Sequence, residues 1–347
     1  MTMTTSNSVQ TESALSWNSK RIALFGSPWI AVLAVLLLVQ LGATALIYWP
    51  RNQAATAGEP LLTGYAADQV QGLTITDANG RTLHTIRKDD GWVLPDADEY
   101  PVKKEKVSGL LDKIGGLKRD RLVGTRSATL TQLKVADADF ARRIELDMAD
   151  GSHPTIYVGD GPRFRTSHVR LGGENKAYLS LDFPTSATAT RMADWIDVSY
   201  FHVAEANVKK MTLENSNGVF NFYRDDQDAW QMEDLAEGEK FDSNNLVSLL
   251  TTLSSLNMVE PLGKEEKPEY GLDKPAAVVR LEYTDDAGKS KNAELRIGAL
   301  DSTRNDYVAS SSESPYFVHV AKYSVDRFVQ RTRQEFLQQP PTPTPQS

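Results

Sequence analysis

The chain has 347 residues, 38 basic and 46 acidic side chains, a formal net charge of −8, five histidines and no cysteine. The acidic balance argues against nucleic acid as the main partner. The missing cysteine excludes a disulfide framework, a thiol nucleophile and a lipoprotein anchor.

Residues 1–19 are rich in Thr, Ser, Asn and Gln and lack apolar periodicity. With the short apolar patch at 22–25, they read as a disordered cytoplasmic tail covering 1–28. Residues 29–49 then run without a formal charge between Trp29 and Trp49. As a helix they span roughly 31 Å, close to a bilayer's hydrocarbon thickness, with aromatic residues at both ends, where interfacial belts are expected. Lys20 and Arg21 precede this run, while Arg51 is the one basic residue close behind it. That bias predicts a cytoplasmic N-terminus and an extracytoplasmic body, which in a bacterium means an inner-membrane anchor with periplasmic domains. The apolar run is longer than a signal peptide's, which favours an uncleaved signal anchor, but Ala43-Thr44-Ala45 and Ala55-Thr56-Ala57 keep cleavage open. Gln40, Gly42, Ala43 and Ala45 are candidate contacts with other membrane helices, since small and polar residues assist helix association. The plain alternative is that they face lipid. Residues 50–61 read as a linker.

An internal repeat follows. Trp92 and Trp230 each close a pair of strand-like runs and stand 138 residues apart. The apolar helix positions Val107, Leu110, Leu111, Ile114 and Leu117 match Leu246, Leu249, Leu250, Leu253 and Leu256 at a constant offset of 139. Ile144-Glu145-Leu146 is matched with Leu281-Glu282-Tyr283, and Tyr157-Val158-Gly159 with Arg296-Ile297-Gly298. Two copies of one domain are expected, over 62–200 and 201–338, followed by a Pro-rich disordered tail over 339–347.

Each copy begins with a hairpin, its turn at Asn79-Gly80 or Asn217-Gly218, a pair that tolerates positive φ. A tryptophan strand and one amphipathic helix come next, the second helix starting at Asp242-Ser243. Four more strands follow, at 142–148, 155–158, 167–171 and 177–181 in the first copy and at 278–283, 293–297, 306–309 and 316–320 in the second. Closing helices are expected near 187–195 and 325–336. Hairpin-joined strands with few helices predict an antiparallel α+β fold.

Catalytic motifs are lacking. There is no G-x-S-x-G, no G-x-x-x-x-G-K-[ST], no H-E-x-x-H and no H-x-H. No cofactor or metal is expected. His84, His168 and His319 fall in strands and read as packing residues. Asp96, Asp98 and Glu99, Asp137 and Asp139, and Glu233, Asp234, Glu237 and Glu239 lack the calcium-loop pattern and read as acidic solvent-facing loops. Trp92 and Trp230 could be ligand platforms, but their repetition at one position favours structural keystones, together with Gly159 and Gly298.

The paired pattern carries a resemblance. Gly91-Trp92-Val93-Leu94-Pro95, Tyr100-Pro101-Val102 and the leucine helix lead to Ala229-Trp230-Gln231, a second leucine helix and Tyr270-Gly271-Leu272-Asp273-Lys274-Pro275. This resembles the bacterial domain-of-unknown-function family numbered 4340, over most of 62–338. The first copy departs from it at Gln132-Leu133-Lys134-Val135, where a looser turn is expected. The resemblance implies a membrane-anchored extracytoplasmic protein that accompanies ABC-type export systems similar to the gliding-motility transporter, beside an ATPase, a permease and another periplasmic auxiliary subunit. The family brings no catalytic residues. The expected role is a non-enzymatic accessory subunit that binds a partner protein or substrate through its tandem domains, with the helix against the permease. An envelope module holding glycan or peptidoglycan and an enzyme with a dispersed active site are the rivals.

Overall fold

The computed structural model describes residues 28–48, 58–89 and 91–338, with the side chains of the first segment placed over 32–44. The chain divides into a unit through Ala57 and a unit from Gly58. The first contains α1, Pro28–Tyr48, 21 residues with no charged side chain. Among the described residues no helix is long and apolar enough to cross a membrane. In α1 the placed side chains, 32–44, fall short of the roughly 18 apolar residues a crossing takes. The tails at 1–27 and 339–347 and most of the linker lie outside the described residues.

The second unit is a mixed fold built on antiparallel sheets. Strands β1 (Val70–Asp77), β2 (Thr82–Lys88) and β3 (Gly91–Leu94) form a meander. Its first turn holds Gly80 at φ +79° while the Asp77 carboxylate accepts the N–H groups of Asn79 and Arg81 at 2.9 and 3.0 Å. Strand β4 (Tyr100–Val102) leads into α2 (Lys104–Gly115), whose three- and four-residue spacing buries Val107, Leu110, Leu111 and Ile114. Each such burial stabilises by on the order of 2 kcal/mol. Then come β5 (Leu122–Gly124), α3 (Ser127–Gln132), β6 (Arg142–Met148), β7 (Thr155–Asp160), β8 (Ser167–Leu171) and β9 (Ala177–Ser180). The nine strands are ordered β4-β3-β2-β1-β6-β7-β8-β9-β5.

The second half starts with β10 (Ser199–Phe201), β11 (Val208–Asn215), β12 (Gly218–Arg224) and β13 (Trp230–Met232). After α4 (Asn244–Leu253) come β14 (Leu256–Asn257), β15 (Glu260–Gly263), β16 (Ala277–Thr284), β17 (Ser290–Asp301), β18 (Asp306–Ser311), β19 (Ser314–Ala321) and α5 (Lys322–Gln330). The order is β13-β12-β11-β16-β17-β18-β19-β15, which coincides with the first sheet apart from the extra edge strand β4. Strands β10 and β14 pair separately.

Four expectations need correction. Ile75 and Leu213 hold equivalent places in β1 and β11, and they face Ile144 and Val279. Ile144 therefore corresponds to Val279, not Leu281. The slip is two residues, which preserves alternation and so leaves no trace in a strand pattern. Second, the segment near 187–195 forms no α-helix but two short 3-10 turns, Thr185–Thr188 and Met192–Asp194. Thr185, Ser186, Thr188 and Thr190, behind Pro184, are weak helix formers, and Thr188 Oγ1 donates back to Thr185 O at 2.7 Å, which disfavours a longer helix. Third, the predicted 325–336 helix breaks after α5, because Arg331 turns extended before the 3-10 turn Arg333–Phe336. Fourth, of the Asp242-Ser243 pair expected to start α4 only Asp242 acts, its carboxylate accepting the Asn244 N–H at 3.0 Å, while Ser243 makes no capping bond.

The two halves share one apolar core that reaches from Leu61 to Phe336. They also meet through a loop expected to face solvent. Asp98 accepts the Lys264 N–H at 2.6 Å, beside Gly263 at φ +105°. Tyr100 packs edge-on against Tyr316 with ring centroids 4.6 Å apart, and the Lys264 ammonium lies 4.8 Å from the Tyr316 ring.

Candidate ligand cleft and the placement of the sequence candidates

The structural candidates form two matched constructions. Trp92 and Trp230 are buried, each under an arginine: Arg87 at 5.1 Å and Arg224 at 4.7 Å from the ring. Each arginine is fixed by a 3.0 Å bond from its Nε to a carbonyl oxygen, of Val70 and of Val208. Sequence reasoning missed these arginines, which stand 137 residues apart, one short of the tryptophan offset. Gly159 and Gly298 sit under crossing loops, where a Cβ would come 1.8 Å from the Leu133 oxygen and 2.2 Å from the Tyr270 oxygen. The loop at Gln132–Val135 is not the looser one: Lys134 at φ +56° holds the left-handed turn that Gly271 holds at φ +63°. Arg170 ties this loop down, donating to Val135 O, Glu174 O and the Asp137 carboxylate at 2.5, 2.7 and 2.5 Å. The guanidinium holds the Asp137 carboxyl below the usual range.

On α1, residues advance by about 100° each. Gln40 and Ala43 therefore lie near one another, Gly42 and Ala45 on a different side, and the four share no single face. Thr44 Oγ1 donates back to Gln40 O at 2.7 Å. The side chain of Ala45 is outside the description.

The histidines do not converge. His84 Nδ1 is 3.6 Å from Asp96, His153 Nδ1 is 2.8 Å from Asp147, and His202 faces Ser199. His168 lies in β8 and His319 in β19, in different sheets. His319 is 8 % exposed beside Glu260, Arg304 and Asp306. Burial and the Arg304 cation hold its imidazole below the ordinary pKa. Among the described residues no three His, Cys, Asp or Glu side chains gather as metal ligands. The acidic loops are tied to cations: Lys88 pairs with Glu99, Lys134 with Asp139, and Arg333 with Glu239.

A cleft of about 690 Å³ opens in the first half, which the sequence did not single out. Helix α2 supplies one wall with Glu105, Lys106, Gly109, Leu110 and Lys113; the β1–β2 turn supplies Asp77 and Arg81, β6 supplies Arg142, and the segment behind the 3-10 turns supplies Thr190, Arg191, Asp194 and Trp195. Leu110 and Trp195 make an apolar floor. Asp77 is deeply set; burial opposes its charge, yet Thr190 Oγ1 at 2.8 Å, two backbone N–H groups and Arg142 hold the carboxyl below its usual range. Arg142 donates to Thr188 O and Ala141 O at 3.0 and 2.6 Å, which fixes its guanidinium. A second concavity of about 580 Å³ lies on the open face of the second sheet. There the cations are all paired, Lys210 with Glu282 and Arg280 with Glu214 and Glu294.

The family described as Domain of unknown function (DUF4340) matches residues 92–275, just over half of the chain, from Trp92 to Pro275 of the Tyr-Gly-Leu-Asp-Lys-Pro segment. No curated protein and no solved structure matches it.

Proposed function

This chain belongs to the family described as Domain of unknown function (DUF4340), and on that premise we propose that it is a non-enzymatic, membrane-anchored accessory subunit of an ABC-type transport complex. The observation that carries the reading is α1. Its leucines and valines at 32, 33, 35–39 and 41 are more than half exposed all round the helix, a surface that water disfavours and a bilayer accommodates. The basic residues Lys20 and Arg21 favour a cytoplasmic N-terminus and a periplasmic body. The permease, its ATPase and a further periplasmic subunit are the partners that the family resemblance suggests. The body is read as two copies of one domain, supported by the coincident strand orders and the matched arginine–tryptophan pairs. Such a body is read as binding rather than transforming: its cleft brings cations together beside an apolar floor, and the Thr190 hydroxyl on Asp77 is buried and bonded into the fold.

The test is a mild-detergent pull-down from native membranes with the full chain and with a chain lacking residues 1–50. Recovery of a permease and ATPase by the full chain alone supports the reading and places the contact in the helix. Recovery by both moves the contact to the body. If neither brings down a transporter and the body sediments with cell wall, the envelope-binding reading replaces it.

A further inference from the structure

We propose that the first-half cleft binds a small organic anion, one bearing carboxylate or phosphate groups on a partly apolar frame. The inference rests on the reading of the body as a binding module, and not on the identity of its membrane partner.

The argument comes from comparing the halves. Strands β1 and β11 have the same length and end at Asp77 and Asn215. Opposite those residues stand the first residues of β6 and β16, Arg142 and Ala277. The hairpin residue facing each is Arg81 in one half and Gly218 in the other. On the helices, Gly109 corresponds to Ser248 by the constant offset of the leucines. In the second half α5 lies over this place. Asn215 Nδ2 donates to Phe328 O and Arg331 O at 2.8 and 2.9 Å, and Arg327 Nη1 donates to Ser248 Oγ at 2.8 Å. In the first half the corresponding stretch is only the four-residue turn Thr185–Thr188, so the space stays open. The open half is also where two arginines replace glycine and alanine.

The cations of the cleft are only partly engaged by the fold. Asp77 is already saturated by Thr190 and the backbone, and Arg191 is paired with Asp194 at 2.7 Å. Among the described residues the side chains of Arg81 and Lys106 have no partner, and Arg142 has a free Nη2 beyond its two carbonyl bonds. Glu105 is the one unpaired acid in the lining. A net positive cleft in a chain of charge −8 selects for anions locally rather than by bulk attraction. Its volume lies within the roughly 300–1,000 Å³ of small-molecule sites, and forked guanidinium donors suit carboxylate and phosphate.

The test is titration calorimetry on the full chain in non-ionic detergent at about 0.15 M salt, where the Debye length is about 8 Å, with citrate and inorganic phosphate as separate probes. Saturable binding of at least one probe is expected, and the stronger probe distinguishes carboxylate from phosphate. The Arg81→Glu/Lys106→Glu chain should bind at least about tenfold more weakly, since losing two charge-assisted contacts costs that much or more. Arg81→Ser reads a smaller loss in the same direction should the double variant fail to fold. Lys291→Glu, an exposed charge in the second half, should change nothing. Absence of saturable binding by either probe, or equal weakening in the Lys291 control, overturns the proposal. The assay contains no transporter, so its failure and a failed pull-down are separate results.

Discussion

A Cβ placed on Gly159 would overlap the Leu133 oxygen at 1.8 Å, and one on Gly298 would meet the Tyr270 oxygen at 2.2 Å. Backbone cannot yield as a flexible side chain does, so Gly159→Ala and Gly298→Ala should each destabilise by about 3 kcal/mol, at the upper end of overpacking costs. Urea denaturation checks both. Lys134 offers the opposite change. It holds φ +56° where the second half has glycine, and a left-handed non-glycine residue costs about 1–2 kcal/mol. Lys134→Gly gives up an exposed pair with Asp139 worth about 0–1 kcal/mol and some chain entropy, for a net change between neutral and a gain of about 1 kcal/mol. Gly271→Ala should lose stability, since its Cβ would also lie 3.1 Å from that of Ala299. His319 gives a pH signature. With its folded pKa below the ordinary 6.5, the unfolded chain takes up a proton that the folded chain refuses. Stability from this site is therefore full above pH of about 6.5 and falls as the pH drops below it. Glu260, Asp306 and Asp301 oppose the shift, but burial and Arg304 outweigh them. Urea midpoints at about pH 7.5 and 5.5 should differ less in His319→Leu than in the parent chain; an equal difference would remove His319 as the cause.

At the level of elements, Phe336 shows how a short segment can matter as much as a helix. It is fully buried, with its ring 4.8 Å from Phe222 and 5.4 Å from Phe220, and Asp242 N–H donates to its carbonyl at 2.8 Å. Phe336→Ala should cost about 3–5 kcal/mol by cavity formation, lowering the midpoint of thermal unfolding by several degrees. The sequence placed this residue inside a helix because its spacing from Val325 and Phe328 fits one, and only the extended Arg331 breaks the run. Helices α2 and α4 were legible because four buried residues in each repeat at helical spacing, and the main hairpins because Gly80 and Gly218 mark their turns. Strands β4, β5, β10, β14 and β15 were not, being two to four residues long and set by their partners rather than by alternation. The cleft was missed for a related reason. Arg81, Arg142 and Arg191 are far apart in sequence and belong to no motif; the available signal was that Arg142 stands where the second half has Ala277, readable only once the two-residue slip in β16 is corrected, and that Arg81 stands where it has Gly218, readable only once the extra residue of the first hairpin turn is counted.

For the whole body from Gly58, the question is whether two matched sheets unfold as one. The shared core favours a single transition, but the polar seam sets how strongly each half feels the other. At its centre Tyr100 and Tyr316 stack edge-on, Tyr316 O–H donates to Glu99 O at 3.3 Å, and Tyr200 O–H donates to Tyr316 O at 2.9 Å. Burial, then Asp197 and Tyr316, push the Tyr100 phenol up to about 12, so that ring stays neutral at any physiological pH. An aromatic pair of this kind is worth about 0.5–1.5 kcal/mol beyond its area. A double-mutant cycle of Tyr100→Ala and Tyr316→Ala, read by urea unfolding, should return a coupling in that range, and Tyr316→Phe should keep most of it because the rings remain. In Tyr316→Ala, hydrogen exchange should rise first at β4, whose Tyr100 loses its partner ring, and at the end of β15, which meets the Asp98 loop, while α2 and α4 remain protected. A coupling near zero with unchanged exchange would mean that the halves are held by the shared core rather than by these rings, and that events in the first-half cleft do not reach the second sheet through these tyrosines.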